Sequence, residues 1–200
     1  MTKGIVAIIS GPAGSGKGSV VKMLCAEYDN FNLSVSCTTR APRPGEKDGR
    51  EYFFISREEF QNRLAEGRIL EHTEYCGNFY GTPADYVKKL VEEGKDVILE
   101  IETDGARQIK ELMPEAITIF LVPESKERIR ERLTGRGTES PEVIEKRLRK
   151  AEKELKIARG YDYVVVNPTG NIEEAVKNVA AIFRAEKCQV SRNEQFFDNF

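Results

Sequence analysis

The sequence predicts an α/β fold with three layers, in which helices cover both faces of a parallel β-sheet. The first observation behind this prediction is a set of continuous apolar runs, which are typical of strands buried on both faces. The second is that helical segments separate these runs, as repeated β-α units require. The third is an ordinary composition, 40% hydrophobic and 32% charged, in a chain of 200 residues, which is long enough to bury a substantial core.

Four apolar runs have the character of buried core strands: residues 5–9, 97–101, 117–122 and 163–166. The core is predicted to comprise about residues 1–33, 95–124 and 160–187. A Gly-rich turn at residues 11–18 follows the first run, and a helix is predicted over residues 19–28. The last helix is predicted to begin at Asn171, with Glu174 as its capping partner, and to end near Lys187.

Between the first two core strands the pattern changes to short strand-like pieces, which predicts a small mixed α/β insert at about residues 34–94. Gly77-Asn78 predicts a hairpin turn. Ser56 and Glu59 form a capping box that opens a helix, and Pro83 is predicted at the first position of another helix. The strand-like pieces are residues 34–37, 51–55, 69–75 and 79–82.

A second insert, at about residues 125–159, is predicted to be helical. It reads as two helices around Gly135-Arg136-Gly137, the second opened by Ser140 and Pro141, with charges of both signs. The tail, residues 188–200, shows no periodicity, and no element is predicted there. All these parts are predicted to form a single domain.

Charge and composition exclude several classes of function. The formal net charge of −2 gives no electrostatic reason to expect a nucleic acid or an anionic membrane as partner. No apolar run approaches the roughly 20 residues that span a bilayer, and the N-terminus lacks a signal-peptide pattern, so a cytoplasmic location is expected. The four cysteines show no CxxC spacing, and a single histidine, His72, disfavours Ser-His-Asp chemistry. The chemistry is expected to run on Lys, Arg and carboxylates; the sequence does not define an oligomeric state.

Residues 11–17 match the first seven positions of the P-loop pattern, G-x-x-x-x-G-K, between a buried strand and a helix. The glycines let backbone N–H groups point at a phosphate chain, the helix N-terminus adds donors, and Lys17 reaches the β- and γ-phosphates. The loop therefore predicts binding of ATP or GTP. The last position of the pattern is normally Ser or Thr, whose hydroxyl holds Mg²⁺. That position is Gly18 here, so the hydroxyl of Ser19 or a water is expected to take this role. The predicted nucleotide-binding residues are Gly11, Pro12, Ala13, Gly14, Ser15, Gly16, Lys17, Gly18 and Ser19.

Arg40 and Arg43, three residues apart on a proline-stiffened link, suit the fixed oxygens of a phosphate ester. They lie in a segment of the form S-x-T-T-R-x-P-R. Four other segments accompany it: GPxGxGKG, G-x-x-Y-x-F, L-E…GNxYGT and Arg136-Gly137-Thr138. Together these segments resemble the guanylate kinase family over roughly residues 4–187.

The resemblance implies a P-loop kinase core and an enzyme that transfers the γ-phosphoryl group of Mg-ATP to GMP. It also implies activity on dGMP, the products ADP and GDP, and a place in purine nucleotide metabolism. Glu102 stands where the family usually has Asp, near the guanine and the metal, and Asp104 replaces the usual Gln. The residues implied to hold the GMP phosphate are Arg40, Arg43, Tyr52 and Tyr80, and those implied to read guanine are Ser36, Glu71 and Thr82.

The resemblance further implies that the second insert is a lid. Arg132, Arg136 and Arg147 match the arginines that close over the transferring phosphoryl group, so they join Lys17 as expected catalytic residues. Asn167 is implied to lie near the adenine, although Pro168 replaces the usual Asp there.

The chemistry of guanine supports the role of Glu71. Guanine presents two adjacent N–H donors beside the O6 acceptor, and a carboxylate accepts both donors at once. Adenine presents an acceptor in place of N1–H, and a buried mismatch of this kind costs roughly 1–3 kcal/mol. Glu100 is left open, either sharing the task of Glu102 or serving as a structural ion-pair partner.

Three alternatives compete with GMP phosphorylation. The nearest is another nucleoside monophosphate kinase, acting on AMP or a pyrimidine nucleotide. Another is a non-catalytic guanylate-kinase-like binding module. Such modules typically lack an intact P-loop, whereas Lys17 and the lid arginines are present here. A switch GTPase would need a guanine-reading N-K-x-D motif, which the sequence lacks.

Overall fold

The computed structural model describes residues 3–134 and 141–197. In chain order, the elements are β1 (Val6–Ser10), α1 (Lys17–Glu27), β2 (Phe31–Leu33), β3 (Cys37–Thr38), β4 (Phe53–Phe54), α2 (Arg57–Ala65), β5 (Ile69–Tyr75), β6 (Asn78–Pro83), α3 (Ala84–Glu92), β7 (Asp96–Glu100), α4 (Thr103–Leu112), β8 (Ile117–Val122), α5 (Lys126–Thr134), α6 (Pro141–Ile157), β9 (Tyr163–Val166), α7 (Ile172–Lys187) and α8 (Glu194–Phe197).

The core is a five-stranded parallel sheet in the order β2-β7-β1-β8-β9. Every residue of β1 is buried, as its continuous apolar run predicts. The predicted parallel sheet is confirmed, but the predicted set of four core strands was incomplete. The missing strand, β2, is a three-residue edge strand that pairs with β7 alone, so it carries little pattern of its own.

Helices cover both faces of this sheet, which confirms the predicted three layers. One face packs Ala7 and Ile9 against side chains of α1 and α7, including Leu24 and Val179. The other face packs Val6 and Ile8 against α3 and α4. The central strand therefore contributes alternate side chains to two separate apolar clusters.

The first insert forms a four-stranded sheet in the order β4-β3-β6-β5. Ser56 caps α2 as predicted, because its hydroxyl accepts the Glu59 N–H at 3.0 Å. The hairpin prediction was displaced by one residue: Cys76 and Gly77 occupy the turn, with φ of 49° and 73°. Both residues have positive φ, as a tight hairpin turn requires.

Other boundaries in the chain also differ from the predictions. Helix α1 begins at Lys17 rather than Ser19. Strand β6 runs through Pro83, which therefore precedes α3 as its N-cap instead of opening it. The predicted strands at 34–37 and 51–55 shrink to the two-residue strands β3 and β4.

The two helices of the second insert pack against each other and against the P-loop. Helices α5 and α6 share a small apolar cluster that includes Ile129 and Leu133 and contacts Ala13 of the P-loop.

Asn171 is the N-cap of α7, but its side chain donates to the Glu174 carboxylate at 3.0 Å rather than capping the backbone. The tail, where no element was predicted, forms a 3₁₀ turn followed by α8.

Across residues 3–134 and 141–197, every helix is too short or too polar to cross a lipid bilayer.

Asp96 ties three elements together, and its loss is expected to destabilise the fold. The residue is 1% exposed. It accepts the Ile5 N–H at 3.0 Å and the Asn30 amide at 2.7 Å, and it lies 2.6 Å from the Lys187 ammonium. Asp96→Ala leaves a buried N–H unpaired, so we expect the free energy of unfolding in urea to fall by about 2–4 kcal/mol.

The matched control removes an exposed carboxylate. Glu111 pairs with Arg107 in α4, with side chains 63% and 69% exposed. Glu111→Ala is expected to change the free energy of unfolding by less than about 0.5 kcal/mol. An Asp96→Ala loss no larger than that of the control would contradict the role given to Asp96.

Candidate active site

The P-loop follows β1 and has the backbone shape that phosphate binding requires. Gly14 and Gly16 have φ of 85° and 87°, a region that only glycine adopts without strain. Gly16 is also crowded, because a Cβ there would lie 2.4 Å from the Asn167 side-chain nitrogen. That nitrogen donates to the Ser15 carbonyl at 2.8 Å, which fixes the loop against the end of β9.

The loop carries polar groups of the kind that bind a phosphate chain. The Ser15 hydroxyl is buried and has no hydrogen-bond partner. The Lys17 ammonium donates to the Gly11 carbonyl at 2.5 Å, so it is folded over the loop itself. The first turn of α1 carries no acidic residue. A buried orphan hydroxyl, a cation and a free helix N-terminus together make a site for a polyphosphate.

Arg132 lies on the outer side of the P-loop, where it contacts main-chain carbonyls. Its guanidinium donates to Gly14 and Ser15 at 3.4 and 3.3 Å and to Asn167 at 3.0 Å. Arg132 and Asn167 also line a cavity of about 670 Å³ on this side, next to Gly14 and Gly16. The structure thus brings Arg132 and Asn167 together beside the P-loop.

A second cavity, of about 480 Å³, opens between the core and the first insert. The P-loop itself lines a third cavity, of about 430 Å³, which we call the phosphate cradle. The second cavity meets the phosphate cradle, because Lys17 and Glu100 line both. We call the second cavity the acceptor cleft. The residues predicted from the resemblance that line it are Ser36, Tyr52, Glu71, Tyr80 and Glu102.

Glu71 is the buried carboxylate of the acceptor cleft. The residue is only 7% exposed, and the Thr82 hydroxyl donates to its Oε1 atom at 2.7 Å. Burial raises the pKa of the Glu71 carboxyl above its usual value, while the bond from Thr82 and the charge of His72 act in the opposite direction. Strand β5 changes register between Ile69 and His72, and an irregularity of this kind re-aims a side chain.

Arg40 is held by Glu46, which sequence reasoning missed, and lies beside the predicted site residue Tyr52. Its guanidinium makes two bonds to the Glu46 carboxylate, at 2.9 and 3.0 Å, and lies 5.5 Å from the centre of the Tyr52 ring. Arg43 donates its backbone N–H to Glu46 at 2.7 Å, whereas its side chain is exposed. Glu46 therefore binds both the Arg40 side chain and the Arg43 backbone. Tyr52 packs edge-on against Tyr80, with 5.8 Å between the two ring centres.

Glu100 and Ser19 supply oxygen atoms beside the phosphate cradle. A Cβ at Gly18 would lie 3.6 Å from one Glu100 oxygen, so this carboxylate lies at the start of α1. Burial raises the pKa of the Glu100 carboxyl, and the charge of Lys17 lowers it. Mg²⁺ prefers oxygen ligands and takes one or two carboxylates together with phosphate oxygens, so these groups fit it. Residues 3–134 and 141–197 contain no cluster of three His, Cys, Asp or Glu side chains that could hold a metal ion by themselves.

Glu102 is paired with the second insert through Lys150, which sequence reasoning also missed. The Lys150 ammonium lies 2.6 Å from Glu102 and 3.6 Å from Glu154. Burial opposes ionisation of Glu102, but the bond from Lys150 and the charges of Lys150 and Lys17 outweigh it, so the pKa of Glu102 is lowered. The hydrogen bond to Glu102 in turn raises the pKa of Lys150.

The two remaining predicted lid arginines are only partly described. Arg147 is half-buried on α6, three residues before Lys150. Residues three apart share a helix face, so Arg147 lies on the same face of α6 as Lys150. Arg136 lies outside the described residues.

The parallel sheet and the glycine-rich loop between β1 and α1 define a P-loop protein, in which two cavities meet at Lys17. A family model described as guanylate kinase matches residues 3–186. The chain is 48% identical over 190 residues to a guanylate kinase from Halalkalibacterium halodurans, covering 95% of this chain and 92% of the relative. It is 47% identical over 194 residues to one from Desulfitobacterium hafniense, covering 97% and 96%.

A solved structure agrees with this assignment. The crystal structure of guanylate kinase from Anaplasma phagocytophilum matches with a TM-score of 0.72 and 35% identity, covering 96% of this chain and 90% of that one. The chain therefore belongs to the guanylate kinase family. It is an enzyme with nucleotide substrates, and the resemblance noted in the sequence is confirmed.

Proposed function

We propose that the protein transfers the γ-phosphoryl group of Mg-ATP to GMP and dGMP, giving ADP and GDP or dGDP. The observation that carries the proposal is the meeting of the phosphate cradle and the acceptor cleft at Lys17 and Glu100. A donor polyphosphate in the cradle and an acceptor phosphate in the cleft would face each other across these two side chains. Such end-to-end placement is what transfer between two phosphates requires.

The acceptor phosphate needs cations rather than a base. A nucleoside monophosphate is already anionic at neutral pH, so no group must remove a proton from its attacking oxygen. Arg40, held rigid by Glu46 and stacked near Tyr52, is proposed to bind this phosphate together with Tyr80. Arg43 is proposed to join them from the rim of the cleft.

Guanine is proposed to occupy the inner end of the acceptor cleft, with Glu71 as its main selector. The Thr82 hydroxyl holds one oxygen of the Glu71 carboxylate and thereby orients the group. The carboxylate is proposed to accept N1–H and the 2-amino group together, while Ser36 donates to O6. None of these proposed contacts uses the ribose 2′-hydroxyl, which is why dGMP is included.

Lys17, Arg132, Arg136 and Arg147 are proposed to neutralise the charge that develops between the two nucleotides. When bound, Mg²⁺ would neutralise phosphate charge, and Ser19 and Glu100 are the groups proposed to hold it. The task of the protein is to fix two anions in line and exclude water, since water would convert the reaction into ATP hydrolysis.

The test is a panel of nucleoside monophosphates in a coupled assay of ADP release with Mg-ATP. We expect kcat/KM for GMP and dGMP to exceed that for AMP, CMP and UMP by at least about 10³-fold, because a buried polar mismatch is penalised strongly. The control omits the acceptor, and ADP release should then fall to a background level. Equal rates with GMP and AMP would reject the assignment of guanine to Glu71.

A further inference from the structure

The face of α4 behind Glu71 carries two residues that the proposed contacts with GMP do not use. Gly105 lies in the first turn of α4 and is buried. A Cβ at this position would lie 2.8 Å from Oε2 of Glu71, which is closer than a carbon and an oxygen normally approach. The carboxylate therefore occupies space that any side chain at position 105 would take.

Gln108 is three residues further along the same face and binds the strand that carries Glu71. Its side-chain oxygen accepts the His72 N–H at 3.2 Å, and its side-chain nitrogen donates to the His72 carbonyl at 3.3 Å. Strand β5 is at the edge of the insert sheet. Gln108 thus supplies, from the core, the pair of bonds that a neighbouring strand would otherwise supply to this edge.

These two contacts restrain Glu71 at its carboxylate and at the backbone of the next residue. Gly105 limits how far the carboxylate reaches toward α4, and Gln108 fixes the backbone of the next residue. The register change in β5 falls between Ile69 and His72, so this part of the strand lacks the regular ladder that would otherwise fix it. The first turn of α4 is also the positive end of that helix, which favours a carboxylate beside it.

We propose that Gly105 and Gln108 are positioning residues that set guanine selectivity by fixing the Glu71 carboxylate against α4. The proposal rests on the proposed function, because it assumes that Glu71 reads the base. Neither residue is proposed to touch the phosphates, so the effect of replacing either one falls on the choice and affinity of the acceptor.

The first test is Gly105→Ala, measured with GMP and with AMP. The added methyl displaces the carboxylate, so KM for GMP is expected to rise about 10- to 100-fold and the ratio of kcat/KM for GMP over AMP to fall by a similar factor. Alanine is a better helix former than glycine, and α4 should remain intact. The matched control is Gly160→Ala, because a Cβ there meets nothing within 4 Å.

A double-mutant cycle separates this mechanism from general damage. In a Glu71→Ala background there is no carboxylate to displace, so adding Gly105→Ala is expected to change the GMP to AMP ratio less than about twofold. If Gly105→Ala lowers the GMP to AMP ratio as much in the Glu71→Ala background as it does in wild type, the proposal is wrong. An unchanged ratio for Gly105→Ala alone would also overturn it.

The second variant is Gln108→Met, which removes both bonds to His72 while keeping the volume. We expect KM for GMP to rise up to about tenfold, as two neutral hydrogen bonds allow, with a smaller change in kcat. Gln61→Met, at an exposed position of α2, is the control. A fall in kcat of equal size for GMP and AMP would contradict a positioning role.

The wild-type protein distinguishes failure of this proposal from failure of the proposed function. If wild type shows no preference for GMP, the proposed function itself is wrong. If wild type prefers GMP and the Gly105 and Gln108 variants keep that preference in full, the proposed function stands and this inference is wrong.

Discussion

Lys17→Met is expected to lower kcat for GMP phosphorylation on the order of 10³-fold, the scale seen when a preorganised group is removed from developing charge. Lys17 lines both cavities, and its ammonium is the group proposed to neutralise the charge on the transferring phosphoryl group. Methionine keeps much of the volume but none of the charge. The measurement is steady-state kinetics by coupled ADP release, with both substrates saturating.

The fold should survive this substitution. Lys17 makes its hydrogen bond to the Gly11 carbonyl within the loop, and it belongs to neither of the main apolar clusters. Thermal unfolding of the variant should therefore stay within a few degrees of wild type. The control is Lys88→Met, whose side chain is 76% exposed on α3 and whose loss should leave kcat unchanged. A Lys17→Met variant with more than about a tenth of wild-type turnover would contradict the role of the cradle.

Glu71→Gln is expected to lower kcat/KM for GMP on the order of 10²-fold, as the loss of a buried charge-assisted contact implies. The glutamine amide places a donor opposite a guanine donor, whereas the carboxylate accepts from both. The rate with AMP should fall far less, so the selectivity ratio should fall with it. The measurement is the ratio of kcat/KM for the two acceptors in wild type and variant.

The pH dependence of the same residue gives a further readout of this prediction. Burial raises the pKa of the Glu71 carboxyl, while reading guanine requires the ionised form. As the pH falls through this raised pKa, the wild-type KM for GMP should rise, and it should do so above the usual glutamate value of about 4.3. The GMP phosphate itself titrates near pH 6. Glu71→Gln is the matched control, because its KM for GMP should depend on pH only through titration of the GMP phosphate.

Linkage fixes the sign of the effect on stability. A carboxyl whose pKa is raised by folding favours the folded state when protonated, and that contribution is lost as the pH rises through the folded pKa. At pH 7 the buried charge of Glu71 therefore opposes folding. Glu71→Gln without ligand should be at least as stable as wild type, which separates loss of recognition from loss of structure. A less stable Glu71→Gln variant would contradict this reading of the site.

The phosphate cradle was the part of the site most open to prediction from sequence. The strand, the glycines, Lys17 and the start of α1 are contiguous in the chain, and each has a local signature. The buried character of β1 also follows from its five consecutive apolar or small residues. Even here, the position of Glu100 beside Gly18 depends on strand pairing between β1 and β7, which no local pattern reports.

Five of the eight residues predicted to bind GMP line the acceptor cleft, whereas Arg40, Arg43 and Thr82 do not, and the contacts that support the cleft were not predicted. Glu71 was selected because of the motifs around it, whereas its burial depends on Gly105, which is 34 positions away in the sequence. The Lys150 contact with Glu102 spans 48 positions. Lys150 sits among exposed charges on α6, and a sequence cannot tell which of several such lysines points at the core.

The edges of elements were the least predictable part of the fold. Strand β2 has three residues and a pairing partner more than 60 positions away, at Asp96. Pro83 suits both the end of a strand and the start of a helix, and the pairing of Ile69 with Pro83 decides for the strand. In each case a long-range contact sets a boundary that local preference leaves undetermined.

A crystal structure with GMP, Mg²⁺ and a non-hydrolysable ATP analogue would test the central claim most directly. We predict that the γ-phosphorus lies about 3–3.5 Å from a GMP phosphate oxygen, with the Lys17 ammonium contacting the γ-phosphate. Both donors of the guanine edge should lie within hydrogen-bond distance of the Glu71 carboxylate. Guanine bound outside the acceptor cleft, or a polyphosphate bound away from the P-loop amides, would contradict the account.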